Sequence, residues 1–340
     1  MRAALFSETG GPEVVHPGQA PVPVPGPGEV RLRVEAAALN HLDLWVRRGL
    51  PIETTMPHIG GSDVVGRIDA IGPDVGEVDG GARYVLDPSI GCGDCEWCRR
   101  GEVPLCVRYR ILGEHTQGGF AEYVVAPVAN LFAVPDSLPL EVAAAAPLAS
   151  LTAWRALTTR ARVKAGETVL VTGASGGVAT AAIQIARHLG ARVFAVTSTA
   201  HVERVARLGA DIVYDRAHVD FSREAWRATG KRGVDVVLDS VGSAFFEQNM
   251  RALARGGRLV VYGATTGPQA TLDLRHVYWK QLELLGSTMS TPAEFRKAMD
   301  LVARGIIRPV VDRVMPLHEA RAAHERLEAG DVFGKLVLVP

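Results

Sequence analysis

Between Met1 and about Pro135, apolar and polar residues alternate in short runs, EVRLRVEAAAL, VVGRIDAIG, ARYVLDP and AEYVVAP, separated by Gly, Pro and Asp. Alternation at a period of two marks half-buried strands, and turn residues at this density predict a compact β-barrel. From about Glu141 the texture changes to apolar runs alternating with amphipathic segments. That rhythm predicts strands and helices in turn, and so a parallel sheet covered on both faces. The chain returns to short elements between Pro309 and Pro340, and the proline-rich stretch Pro21 to Glu29 reads as an extended loop before a strand.

The clearest unit of the second region runs from Thr168 to Tyr214. VLVTG is a buried strand, GASGGVA a glycine-rich turn, ATAAIQIARHLG a helix ending at Gly190, ARVFAVT a second strand and HVERVARLGA a second helix. A strand, a glycine turn and a helix in this order form a dinucleotide-binding unit, in which backbone N–H groups and the helix N-terminus receive a pyrophosphate. The six-residue fingerprint is Ala174-Ser175-Gly176-Gly177-Val178-Ala179, with Gly176 as the middle glycine that lets the backbone approach the diphosphate. Later strands, VDVVLDSVG and GGRLVVYGATTG, end at Ser240-Val241 and at Tyr262-Gly263-Ala264. Ligands of open parallel sheets bind at such C-terminal ends, so these residues are assigned to the same crevice.

All four cysteines fall in one window, Cys92, Cys95, Cys98 and Cys106, within GCGDCEWCRRGEVPLC. Two-residue spacers let a tight turn aim successive thiolates at one point, the pattern of a closed tetrahedral zinc site. Disulfides suit small secreted scaffolds rather than a long chain rich in core residues, and ferredoxin-type clusters use a shorter final spacer followed by proline. One structural zinc per chain is the reading, with no ligand position left open for catalysis.

Composition narrows the partners. The 340 residues are 47% hydrophobic and 22% charged, with 37 basic and 37 acidic residues. A balanced charge gives no electrostatic basis for nucleic-acid or anionic-membrane binding, and no apolar run approaches a bilayer span. A small-molecule substrate and a cytoplasmic location are expected, the latter in keeping with cysteines kept reduced for metal.

An NAD site places Asp or Glu at the end of the second strand, where the carboxylate would repel a 2′-phosphate. Here that position is Thr197, followed by Ser198 and Thr199. With no acid there, NADP(H) is favoured over NAD(H), and Ser198, Thr199 and His201 or Arg204 are candidates to hold the phosphate. The same hydroxyl residues also suit a helix cap.

Together these features resemble the medium-chain dehydrogenase/reductase superfamily, which holds zinc alcohol dehydrogenases and quinone oxidoreductases. The likeness spans nearly the whole chain, including the cysteine lobe, GGFAEYVVAP at Gly118 to Pro127 and PLASLTAW at Pro147 to Trp154. It implies an α/β protein with a GroES-like β-barrel catalytic domain at 1–150 and 289–340, carrying the zinc lobe at 91–107. A Rossmann domain with a doubly wound parallel sheet is implied at 151–288. Zinc alcohol dehydrogenases hold a second, catalytic metal through Cys, a His-Glu pair and a further Cys or acid. Those positions match Asn40, Ser62-Asp63 and Leu148 here, and leucine cannot coordinate a metal.

The alternative of a substitute site from His41, Asp43, His58 and Asp63 meets the objection that Asn40 and His41, as neighbours on a strand, point to opposite faces. The stretch Ala38 to Gly49 resembles instead the A-x-N-x-x-D-x-x-x-R-x-G pattern of zinc-free quinone oxidoreductases. Resemblance then implies hydride transfer from NADPH to a quinone or an α,β-unsaturated carbonyl. Asn40 and Ser62 would donate to the acceptor oxygen, with Asp63 tied to a backbone group or an arginine. Thr152 is assigned to the nicotinamide ribose and Lys335 to the diphosphate. The alternatives are an alcohol dehydrogenase and a non-catalytic NADPH-binding sensor. A homodimer or homotetramer is expected, paired through a sheet edge such as GRLVVYG or LELLGST.

Overall fold

The computed structural model describes all 340 residues, which divide into two compact units. One comprises Met1–Leu151, Ser290–Gly305 and Pro309–Pro340, and the other Thr152–Met289 with Ile306–Arg308.

The first unit is built on the strand Glu29–Ala38, whose alternating valine and leucine residues are buried while its arginines and glutamates reach outward. It pairs antiparallel with Asp63–Ile71, Tyr123–Pro127 and Lys335–Val339. The hydrogen-bonded path runs open from Val311–Pro316 through Lys335–Val339, Glu29–Ala38, Asp63–Ile71 and Arg83–Leu86 to Leu131–Val134. With Tyr123–Pro127 it makes a seven-stranded GroES-like sheet that wraps a core containing Leu32, Leu39, Leu86, Leu112 and Phe120. The ladder itself is not closed into a ring.

Asn40 and His41 are not strand neighbours. Asn40 caps the helix His41–Arg48, and Asp43 completes the reciprocal half of a capping box by accepting from the Asn40 backbone N–H at 2.7 Å. Arg47 on this helix is fully buried and pairs with Glu328 at 2.7 Å, tying the helix to Ala320–Ala329. The cysteine window forms a lobe whose base is the antiparallel pair Ser89–Ile90 and Arg110–Ile111.

In the second unit all six strands are parallel. Their spatial order is Ile212–Asp215, Arg192–Thr197, Thr168–Val171, Val234–Asp239, Leu253–Val261, Glu283–Gly286. The chain thus reverses direction across the sheet at its first strand, the switch point at which Rossmann sheets bind dinucleotides. Thr168–Val171 and Val234–Asp239 are buried along their whole length, as expected for strands covered on both faces. GRLVVYG, one of the two expected edges, lies inside the sheet because Glu283–Gly286 pairs with it and becomes the edge. No helix is long and apolar enough to cross a membrane.

Candidate functional site

Three neighbouring strands deliver one polar cluster in the first unit. Ala38 lies opposite Asp63 on one side and Val337 on the other. Antiparallel pairing sets the end of one strand beside the starts of its neighbours. Asn40, Asp63 and Lys335, far apart in sequence, therefore meet at one end of the sheet. The Lys335 ammonium donates to Asp63 Oδ2 at 2.8 Å and to the Asn40 side-chain oxygen. Asn40 Nδ2 donates to the same Asp63 oxygen at 3.0 Å, and Asp63 Oδ1 accepts from the Leu148 N–H at 2.7 Å.

The cluster is desolvated: Asp63 is 0% exposed, Lys335 4% and Asn40 9%. A carboxylate this deep requires a cation and full hydrogen bonding, and it has both. Resemblance assigns Lys335 to a diphosphate. In the structure its ammonium is instead buried and committed to Asn40 and Asp63, because its strand opens beside the end of Glu29–Ala38. Asp63 is tied to a backbone N–H and to a lysine rather than an arginine. The Ser62 hydroxyl is fully buried and has no partner in the protein.

Asp43 supports this cluster from below. Its carboxylate accepts from the N–H groups of Asn40 and Gly61, at 2.7 and 2.9 Å, and burial pushes its pKa up to about 6 against those two donors. Gly61 has φ of 99°, and a Cβ there would stand 2.7 Å from the Phe120 ring, so the turn into Ser62 needs glycine. Sequence reasoning missed Glu114, which burial, then the charge of Asp43, raises to about 7 and whose Oε2 has no partner. The nearby His41 is exposed as a whole residue. Desolvation, then the charges of Lys335 and Arg48, lower its pKa.

His41, Asp43, His58 and Asp63 do not assemble a metal site. The Asp43 oxygens are taken by backbone N–H groups and His58 Nε2 lies 3.0 Å from the Gly113 carbonyl. The four cysteines do converge, with all sulfurs within 4.8 Å of one another. Cys92 and Cys98 sulfurs are 3.9 Å apart, against an edge of about 3.8 Å for a tetrahedron with zinc–sulfur bonds of about 2.3 Å. Backbone N–H groups of Cys92 and Arg108 point at the Cys106 sulfur, each at 3.3 Å, and the Cys98 N–H holds the Cys95 thiol down to about 6. This donor set fits zinc. A separate cavity of about 400 Å³, lined by Met1, Leu5, Pro21, Met56 and Val124 among others, includes none of Asn40, Ser62, Asp63 or Lys335.

In the second unit the glycine turn, Ser240-Val241 and Tyr262-Gly263-Ala264 come together. Ala174 N–H donates to Val196 O at 3.0 Å, Tyr262 N–H to Asp239 O at 3.0 Å, and Thr265 N–H to Ser240 O at 3.0 Å. The glycine that needs left-handed backbone is Gly173, with φ of 58°, one residue ahead of the fingerprint. Gly176 caps the helix Gly177–His188, and a Cβ on it would meet no atom nearer than 3.5 Å, so its missing side chain leaves open space beside the helix N-terminus. Ser175, Gly177 and Val178 are half-buried around that space. Such a cradle fits a diphosphate. Sequence reasoning missed Asp239, which accepts from the Thr172 hydroxyl and from the N–H groups of Val241 and Gly242, fixing the turn.

The adenosine end is less simple than its sequence. Thr197 is buried with an unpartnered hydroxyl, His201 is buried rather than presented outward, and Ser198 is half-buried. Asp215, an acid supplied by the third strand, pairs in register with Thr197, and the Thr199 side chain holds its carboxyl below the ordinary value. Thr152 is buried, its hydroxyl without a partner.

Residues 26–136 match the alcohol dehydrogenase GroES-like domain and residues 177–304 the zinc-binding dehydrogenase family. Acryloyl-coenzyme A reductase of Metallosphaera sedula is 34% identical over 317 residues, 93% of each chain. The chain belongs to the medium-chain dehydrogenase/reductase superfamily. Human quinone oxidoreductase is 29% identical, with 100% of this chain and 98% of that one covered. A crystal structure of an NAD-dependent alcohol dehydrogenase matches with a TM-score of 0.96 at 45% identity, covering 100% of both chains. This medium-chain dehydrogenase/reductase is an NAD(P)-dependent oxidoreductase.

Two outcomes are expected of this dehydrogenase/reductase. Cys95→Ser abolishes tight zinc binding and lowers the Tm by about 5 °C or more, the equivalent of roughly 2 kcal/mol in a domain of this size, and a chelator lowers the wild type likewise. An unchanged melt in both would contradict a metal role in folding. Glu114, with its folded pKa above the ordinary carboxylate value, binds its proton more tightly folded than unfolded. Its burial therefore costs nothing below the unfolded value and destabilises as pH rises through about 7. Glu114→Gln should gain roughly 2 to 4 °C over wild type as the melt is moved from about pH 5 to about pH 8. A difference that stays flat with pH would show that the carboxyl does not titrate there.

Proposed function

We propose that the chain reduces conjugated carbonyl compounds, namely enones, quinones or enoyl thioesters, with hydride from NADPH and without a catalytic metal. The observation that carries this reading is what stands at the ligand positions of zinc alcohol dehydrogenases. Asn40 offers an amide, Ser62 an unpartnered buried hydroxyl and Leu148 only hydrocarbon, while Asp63 has both oxygens engaged. Interconverting a simple alcohol and a carbonyl builds a localised alkoxide, for which a Lewis acid supplies several kcal/mol. Hydride added to the β-carbon of a conjugated acceptor moves an electron pair through the alkene onto oxygen, and that delocalised charge is within reach of neutral donors.

NADPH, received at Gly176 to Val178, supplies the hydride. Asn40 Nδ2 and the Ser62 hydroxyl donate to the enolate oxygen, Asp43 and Gly61 hold the two residues in place, and solvent returns the proton to the α-carbon. Acryloyl-coenzyme A reductase and quinone oxidoreductase among the relatives support this acceptor class. NADPH is preferred because Thr197, Ser198 and Thr199 put no acid at the end of the second strand. One observation favours NADH instead, the acid Asp215 in register with Thr197 on the neighbouring strand. A second copy of the chain is the partner assigned to the edge Glu283–Gly286, beside which Tyr278, Trp279 and Leu284 are exposed.

The test is NADPH and NADH oxidation by the purified protein against quinones, enones and acryloyl-coenzyme A, with alcohol oxidation run alongside. Turnover of conjugated acceptors is expected, faster with NADPH, and Ser62→Ala should lower kcat by roughly 10²-fold. Alcohol oxidation without enone reduction would restore the alcohol dehydrogenase reading. NADPH binding without turnover of any substrate would make the protein a sensor.

A further inference from the structure

The polar cluster also fixes which way round Asn40 is held. An ammonium has only donors and a carboxylate only acceptors. Lys335 therefore requires the amide oxygen of Asn40, and Asp63 requires its nitrogen. Reversing the amide would set its NH2 against the ammonium and its oxygen against the carboxylate. The two charges are only 4% and 0% exposed, so bulk solvent relaxes little of that mismatch. One N–H of Nδ2 is spent on Asp63, and the other has no acceptor in the protein.

We propose that Lys335 is a positioning residue: with Asp63 it locks the Asn40 amide so that it presents a donor, never an acceptor, to the bound molecule. This deepens, and rests on, the reductase reading. With the hydroxyl of Ser62, the residue before Asp63, the locked amide makes a site complementary to an oxygen that gains electron density, as in reduction of a conjugated carbonyl. An alcohol substrate must first give up its O–H proton to an acceptor, and Asn40 held this way offers none. The neutral amide is polarised by the ammonium on its oxygen, which strengthens its remaining N–H as a donor. Lys335 thereby supplies cationic influence at the acceptor oxygen without touching it.

The experiment compares Lys335→Met and Lys335→Arg with wild type, measuring kcat with an enone at saturating NADPH and the Kd of NADPH by fluorescence titration. For Lys335→Met, kcat falls roughly 10- to 100-fold while the Kd changes by less than about threefold, and arginine, also a pure donor, restores much of the rate. A Kd weakened tenfold or more at an unchanged kcat would return Lys335 to diphosphate binding and overturn the proposal. If Lys335→Met does not fold, the charge-paired Lys335→Met/Asp63→Asn variant replaces it. An amide at 63 can donate or accept, so this variant should fold yet stay slow, and wild-type kcat in it would overturn the proposal.

A second measurement needs no turnover. The Asn40 side-chain NH2 resonance, identified by its loss in Asn40→Asp, should shift and exchange faster with water in Lys335→Met. An unmoved resonance overturns the locking. A moved resonance in a protein whose wild type reduces no acceptor overturns the reductase reading alone.

Discussion

A carboxylate and an ammonium removed from water must stay together, because either one left alone in the interior is strongly destabilising. Asp63 and Lys335 meet that demand 272 residues apart in the chain, at 2.8 Å. Their pairing dictates where the last strand must dock, and it stitches the C-terminal return of the chain to the sheet begun near the N-terminus. The same pair takes both ends of the Asn40 side chain, so the constraint that closes the fold also shapes the candidate site. In a zinc alcohol dehydrogenase the metal would organise these positions. Here Asp63 and Lys335 hold the Asn40 side chain between them.

The two units divide the chemistry between them. The parallel sheet offers a helix N-terminus and an open space at Gly176, features suited to a doubly charged diphosphate but not to any particular acceptor. The strand-rich unit offers a few converged donors on a scaffold held by burial, by the Arg47–Glu328 pair and by the cysteine lobe. In the proposed reaction, acceptor choice rests on the polarity of the strand-rich unit. That reading rests on an amide at Asn40, a hydroxyl at Ser62 and hydrocarbon at Leu148 standing together where ligands would.

Much of this was legible in the residues, for reasons that differ by element. Alternation and apolar runs report burial directly, so the strands Glu29–Ala38, Thr168–Val171 and Val234–Asp239 and the helix after the glycine turn could be read one at a time. The cysteine spacing is a local signal and predicted convergence that the sulfurs show. Long-range register is not local. Nothing in FGKLVLVP announces that Lys335 lies beside Asn40, because its place depends on antiparallel pairing with a strand almost 300 residues earlier. Placing Asn40 and His41 on a strand failed although a helix signal was present. Asn40 and Asp43 have capping-box spacing before an amphipathic stretch. Asp215 is not legible from the second strand because parallel pairing with the third strand is what brings it level with Thr197.

Elemental analysis of zinc, on protein of known active fraction that is turning over a conjugated acceptor, decides whether a second metal takes part. One zinc per chain, removable only with loss of the folded lobe, is the predicted result. A second equivalent, whose selective removal abolishes turnover and leaves the melt unchanged, would contradict it.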